Sequence, residues 1–287
     1  QISAKVIHRK PLAPSPLPCP VIRGDVEPLT VDGIQNLVQK FGDAADRAYR
    51  AGFELIEIHG AHGYLVNQFL SNFSNIREDE YGGDMAGRTR FAREIAVEIR
   101  KRIGHEIPIS FKISAEEYVD GGLTTNESIE ILKILINAGI DLVQVSAGND
   151  VTPEWICQPM FMEKACLVES ASQVKKAVDI PVKAVSRIND PQIADEIIRQ
   201  GKADLVCIGR GLLAAFLLCS TTAFASLDEL GAVQPVVVSF NDDVARLATY
   251  REYLEVDFPF VSDPDRQLYR ALGAGRGTIR DVWRKVK

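Results

Sequence analysis

The sequence predicts an α/β fold built on a parallel sheet. Two observations carry this. Short, nearly all-apolar runs alternate with longer amphipathic segments, the pattern of buried strands and covering helices in repeated strand–helix units. Several amphipathic segments also end in glycine: Ala51-Gly52, Ile103-Gly104, Ala138-Gly139 and Gln200-Gly201. Glycine takes the left-handed helix-terminal conformation at low cost. The pattern alone leaves an open doubly wound sheet and a closed barrel both standing.

Gln1–Val6 is a candidate first strand. Lys10–Pro28 follows as a proline-rich loop, whose composition excludes a helix or a central strand. Loops of that length in compact domains are functional or disordered. Helices are expected over Val31–Ala51, Arg88–Ile103, Thr125–Ala138, Ser170–Val178 and Pro191–Gln200. The last is announced by Asn189-Asp190-Pro191, a capping residue with proline in the first turn. Strands are expected over Glu54–His59, Ile109–Ile113, Leu142–Val145, Val182–Val185 and Leu205–Ile208. Near Leu213 the composition breaks. Beyond it, Val236–Phe240 and Phe258–Val261 read as strands, and Asp242–Leu254 and Asp263–Leu272 as helical segments of another domain.

With 287 residues, 46% hydrophobic and 25% charged, the chain can form one large α/β domain or one domain plus a smaller one. A net charge of -6 argues against general nucleic-acid binding. No apolar run reaches the roughly 20 residues of a membrane span, and no signal peptide is visible. The first residue is Gln1 rather than Met, as a cut chain would show. Five cysteines at scattered spacings, without a CxxC pair, argue against a disulfide framework, a zinc site or a CxxC-bound iron–sulfur cluster, so no metal is expected. Free thiols fit a reducing cytoplasm. Cys207, in an apolar run, is expected in the core.

The chemistry concentrates in Glu57-Ile58-His59-Gly60-Ala61-His62-Gly63-Tyr64-Leu65, which holds two of the four histidines. An apolar strand opening into titratable side chains is how a (β/α) barrel presents chemistry at its C-terminal rim. Glu57 is expected to pack or pair beneath that rim, Tyr81 to be structural, and Arg77, Asp79 and Arg88 to form a buried ionic network. Gly273-Ala274-Gly275-Arg276-Gly277 fails as a dinucleotide motif: Thr278 takes the last glycine place and no strand directly precedes it.

These residues carry a resemblance. The His59–Leu65 run followed by Asn67-Gln68-Phe69-Leu70, the block Ser74-Asn75-Ile76-Arg77-Glu78-Asp79-Glu80-Tyr81-Gly82-Gly83 with Arg88-Thr89-Arg90-Phe91, the loop Ala13-Pro14-Ser15-Pro16, and Ala203-Asp204-Leu205-Val206 to Gly209-Arg210 resemble the old yellow enzyme family of NADH:flavin oxidoreductases. The resemblance runs from Gln1 to about Ala214. It implies a (β/α)8 TIM barrel lacking its first two strands, over residues 1–214. The tail, residues 215–287, resembles part of an alkyl hydroperoxide reductase/thiol-specific antioxidant-like thioredoxin fold, through Val236–Phe240, Tyr250-Arg251, Phe258–Arg266 and Tyr269–Gly273. Its reactive cysteine is not recognisable; Cys219, in an apolar setting, is the one candidate.

What the family resemblance implies about function is specific. The cofactor would be FMN, reduced by NAD(P)H and passing hydride to an α,β-unsaturated carbonyl compound, an enone or enoyl substrate. His59 and His62 would hold the substrate's carbonyl oxygen and stabilise charge developing there. Tyr64 would protonate the α-carbon as general acid. Lys112 would face the flavin's N1–O2 edge, where many members have arginine. Ser186, Arg187, Gly209 and Arg210 would hold the phosphate, and Gln1 would contact the flavin. Simple enoate reductase and dienoyl-CoA reductase-like branches both remain open, as does homo-oligomerisation. The competing reading is a truncated or fused non-enzymatic product that does not hold flavin; a third is a thiol antioxidant acting through the tail.

Overall fold

The computed structural model describes residues 8–21 and 23–209. The candidate strand at Gln1–Val6, the site residues Gln1 and Arg210, Cys219 and every element expected in the tail lie outside the described residues. The chain divides between Ile208 and Gly209 into two units.

The first unit opens with two short strands, β1 (Leu12–Ala13) and β2 (Glu27–Pro28), paired in parallel. They fasten the proline-rich loop to itself. Strand–helix alternation then begins: α1 (Val31–Arg50), β3 (Ile56–Gly60), α2 (Leu65–Leu70), α3 (Met85–Ile103), β4 (Ile109–Ser114), α4 (Thr125–Asn137), β5 (Leu142–Ser146), α5 (Pro153–Ile156), α6 (Val168–Ala177), β6 (Val182–Ala184), α7 (Pro191–Arg199) and β7 (Leu205–Val206). Strands β3 to β7 form one parallel sheet in chain order. Among the described residues they do not close a barrel. No described helix is long and apolar enough to cross a membrane.

Local chemistry explains the helix limits. The Thr30 side chain accepts from the Gly33 amide at the start of α1, and Asp84 from Gly87 at the start of α3. Thr124 and Glu127 form a reciprocal capping box on α4, and Asp190 precedes Pro191 on α7. Gly52, Gly104, Gly139 and Gly201, the glycines that follow the four long helices expected to end there, all have positive φ.

Strands β4, β5 and β6 are buried along nearly their whole length, as buried strands should be, but their two faces differ in chemistry. Register places Ile58, Phe111, Val143 and Val182 side by side on one face. There they join Phe91, Ile95, Ile131 and Leu135 of the helices in one buried cluster. The opposite face is polar: His59, Lys112, Gln144 and Lys183 stand in register across β3 to β6, with Glu57 and Ser110 paired one row below. Side chains alternate along a strand, so a few polar residues spaced by two create a hydrophilic wall inside an apolar-looking segment.

The ionic network is also regrouped. Arg77 does pair with Asp79, through Nε at 2.9 Å and Nη2 at 2.5 Å. Its Nη1 donates to the carbonyls of Pro14 at 2.6 Å and Leu29 at 2.7 Å, so it clamps the proline-rich loop. Arg88 is not part of this group; it donates to the Leu70 carbonyl and pairs with Glu127. Tyr81 is fully buried and its hydroxyl donates to Glu94 at 2.8 Å, a structural role as expected.

Candidate active site

At the C-terminal end of β3 the chain turns sharply. His62 takes the left-handed conformation, φ 68°, rare for a residue with a β-carbon. This turn brings the three sequence-predicted catalytic side chains together. The His59 and His62 rings meet edge to face, centroids 5.0 Å apart and planes at 90°. Tyr64 also meets His59 edge to face, centroids again 5.0 Å apart and planes at 63°. His62 is buried, whereas His59 and Tyr64 open to solvent.

Two serines that sequence reasoning missed hold His62. Ser114 and Ser146 end β4 and β5 and are register partners. Ser114 Oγ accepts from the His62 backbone N–H at 2.9 Å and donates to the Gly148 carbonyl at 2.7 Å. Ser146 Oγ lies 2.7 Å from His62 Nε2. The available signal was positional: Ile113-Ser114 and Val145-Ser146 each end an apolar run in a hydroxyl at the rim.

Both imidazoles are held in the neutral form. Burial, then the Lys112 charge, then His59 push the His62 pKa down to about 3. Burial and Lys112 lower His59, with Glu57 opposing. Lys112 sits beside His59 in register, and its ammonium makes no ion pair or hydrogen bond among the described residues. Glu57, predicted to pack or pair beneath the rim, accepts from Ser110 Oγ at 2.7 Å and pairs with Lys183. Crowding around its carboxylate disfavours the charge, but Lys183, Ser110 and Lys112 outweigh this and hold its pKa below the ordinary value. Cys207, expected in the core, is instead half-buried, and its thiol donates to Gln144 of the polar face at 3.5 Å. The misreading came from the apolar neighbours in sequence, which face the other way.

Ser186 and Arg187, which follow β6 after Val185, have φ of 141° and 43°. Two consecutive left-handed residues with side chains cost on the order of 1–3 kcal/mol each, a strain that concentrates at functional sites. Ser186 is buried, its Oγ 3.0 Å from Cys166 Sγ. Gly209 belongs to the second unit, and a β-carbon built on it would meet nothing within 4 Å.

A family model described as the NADH:flavin oxidoreductase / NADH oxidase family matches residues 11–223. The chain belongs to this family. Members of the NADH:flavin oxidoreductase family bind FMN and use NAD(P)H. The chain is 44% identical over 205 residues to an NADH oxidase of Thermoanaerobacter brockii, covering 71% of this chain and 32% of the relative. It is 35% identical over 225 residues to a cinnamate reductase of Clostridium sporogenes, covering 73% and 34%. It thus spans about a third of the length of either relative. The crystal structure of an old yellow enzyme homologue from Zymomonas mobilis superimposes with a TM-score of 0.60 at 23% identity, over 82% of this chain and 68% of that one. That likeness concerns the fold: β3 to β7 correspond to part of an old yellow enzyme barrel. The family match ends at residue 223, and these relatives lend no support to a thioredoxin-like tail.

Proposed function

We propose that this chain carries the substrate-activating part of an FMN-dependent NAD(P)H oxidoreductase that reduces activated C=C bonds of α,β-unsaturated carbonyl compounds. The observation that carries the proposal is the grouping of His59, His62 and Tyr64 at the C-terminal end of β3, beside the unpaired cation of Lys112.

The polar face suits a flavin. Lys112 forms no direct ion pair among the described residues and acts on Glu57 only through its longer-range field, which leaves its ammonium available to an anion beside a flavin. Ser186, Arg187, Gly209 and Arg210 follow β6 and β7, where barrels of this class bind phosphate; they are proposed to hold that end of FMN, and Gln1 to contact its ring. When bound, FMN supplies the hydride chemistry.

The chain's own residues supply the rest. Neutral imidazoles at His59 and His62 can each donate one hydrogen bond to a carbonyl oxygen. As negative charge builds on that oxygen, donors already fixed in place stabilise the transition state more than the ground state. Tyr64, exposed beside His59, would give its phenolic proton to the substrate's α-carbon. The likeness to a relative named cinnamate reductase supports an alkene conjugated to a carbonyl as the substrate class.

The test is optical. Purified protein supplied with FMN should be yellow, bleach on addition of NADH or NADPH, and recover its absorbance with cyclohexenone. A colourless protein indifferent to FMN would overturn the proposal in favour of a non-enzymatic product.

A further inference from the structure

We infer that Ser146 is a positioning residue that fixes the tautomer of His62, holding the ring proton on Nδ1 and so deciding which nitrogen can donate to a bound oxygen.

The argument is an accounting of protons. Ser146 is 3% exposed, and its hydroxyl has one partner among the described residues, His62 Nε2 at 2.7 Å. A buried hydroxyl needs an acceptor for its proton. The neighbouring Ser114 does not serve: among the described residues no hydrogen bond joins the two hydroxyls, and that of Ser114 is engaged with the Gly148 carbonyl and the His62 backbone amide. The Ser146 proton therefore points at Nε2, which must be the bare nitrogen of the ring. Because the ring stays neutral in this setting, its single proton resides on Nδ1. Nδ1 makes no hydrogen bond among the described residues, so it is the free donor.

The same serine pair sets the ring's direction. Ser114 grips the backbone of His62 while Ser146 grips the ring, and both hang from the ends of adjacent strands in register. Two anchors on rigid strands hold a side chain more precisely than a loop alone. The consequence for catalysis rests on the function proposed above; the tautomer itself does not.

The experiment is nitrogen NMR on the full chain with ring-labelled histidine. His62 is assigned among the four histidines by the signal lost in His62→Gln. Wild type should show a bare, acceptor-type Nε2 and a protonated Nδ1 at neutral pH. Ser146→Ala should shift the population toward Nε2–H, the form a free histidine side chain prefers, and Ser146→Thr, which keeps the hydroxyl, should restore the wild-type pattern. A protonated Nε2 in wild type, or an unchanged Nδ1–H signature in Ser146→Ala, would overturn the inference. The measurement needs no flavin, so a protein that shows the Nδ1–H form yet never binds FMN would sink the functional proposal and leave this one standing.

Discussion

Lys183 and Glu57 form an ion pair although two strands, β4 and β5, separate their own. Three strand spacings amount to about 14 Å on a flat sheet. Side chains leave a sheet roughly perpendicular to it, so the contact requires the sheet to curl toward its polar face. The pair thus marks that face as the concave wall, the side a closed barrel would turn inward.

Removing the cation tests this. Lys183→Met leaves the Glu57 carboxylate crowded and reliant on Ser110. The expected cost is about 1–3 kcal/mol of unfolding free energy, the penalty of stranding a partly buried charge. Urea denaturation measures it. The double variant Glu57→Gln/Lys183→Met should recover most of the loss, because the stranded charge is then gone. A single variant within about 0.5 kcal/mol of wild type would mean the pair is a solvated contact of the ordinary surface kind.

Arg77 joins two distant stretches, the proline-rich loop and the segment before α3, through three partners on one guanidinium. Lysine carries the same charge on a single point and cannot reproduce the planar fork. Arg77→Lys should therefore loosen the loop while leaving the sheet intact. The amides of Glu27 and Leu29, bonded to Pro11 and Ala13, report on it directly. Their hydrogen exchange should accelerate by at least about tenfold, equivalent to about 1.4 kcal/mol of local opening. Exchange that speeds equally at the Val143 amide would point to global destabilisation instead.

The buried neutral ring of His62 makes stability depend on pH. Its folded pKa of about 3 lies below the ordinary 6.5, so the unfolded chain binds this proton more readily. The contribution is complete above about pH 6.5 and is lost progressively as pH falls toward 3. His59 is shifted the same way. Between pH 6.5 and 5, wild type should lose stability with a slope of up to about 1.4 kcal/mol per pH unit for each such ring. His62→Gln should flatten the slope in that window. Equal slopes in the two proteins would mean that the ring titrates as freely in the folded state as in the unfolded one.

Much of this architecture was legible because helix ends write themselves in short-range chemistry. Thr124 with Glu127, Asp190 with Pro191, and glycine after a helix each act over a few residues, so the five long helices fall within three residues of the expected limits. The polar wall was not legible in the same way. Lys112, Gln144 and Lys183 stand alone inside apolar runs, and only register across separate strands reveals them as one row. Cys207 was misread for the same reason. Ser114 and Ser146 escaped notice because a serine at a strand end says nothing until its partner, here 52 or 84 residues away, is known. By contrast, His59, His62 and Tyr64 lie within six residues of one another, so a single turn suffices to gather them.

That compact cluster yields the functional prediction. His59 is exposed and in edge contact with both His62 and Tyr64, with Lys112 beside it in register. If its ring binds the oxygen of a substrate or of a phenol that mimics one, His59→Ala should weaken phenol binding by about ten- to a hundredfold, the worth of one or two hydrogen bonds to a developing or full negative charge. Flavin content should not change, since no flavin-holding role is proposed for it. Tyr64→Phe removes only the hydroxyl. It should slow reoxidation by an enone by about 10²-fold or more, the usual range for loss of a general acid, while reduction by NAD(P)H proceeds at nearly the wild-type rate. Stopped-flow absorbance separates the two half-reactions. Equal slowing of both would remove Tyr64 as proton donor, and unchanged phenol affinity in His59→Ala would place His59 outside the binding site.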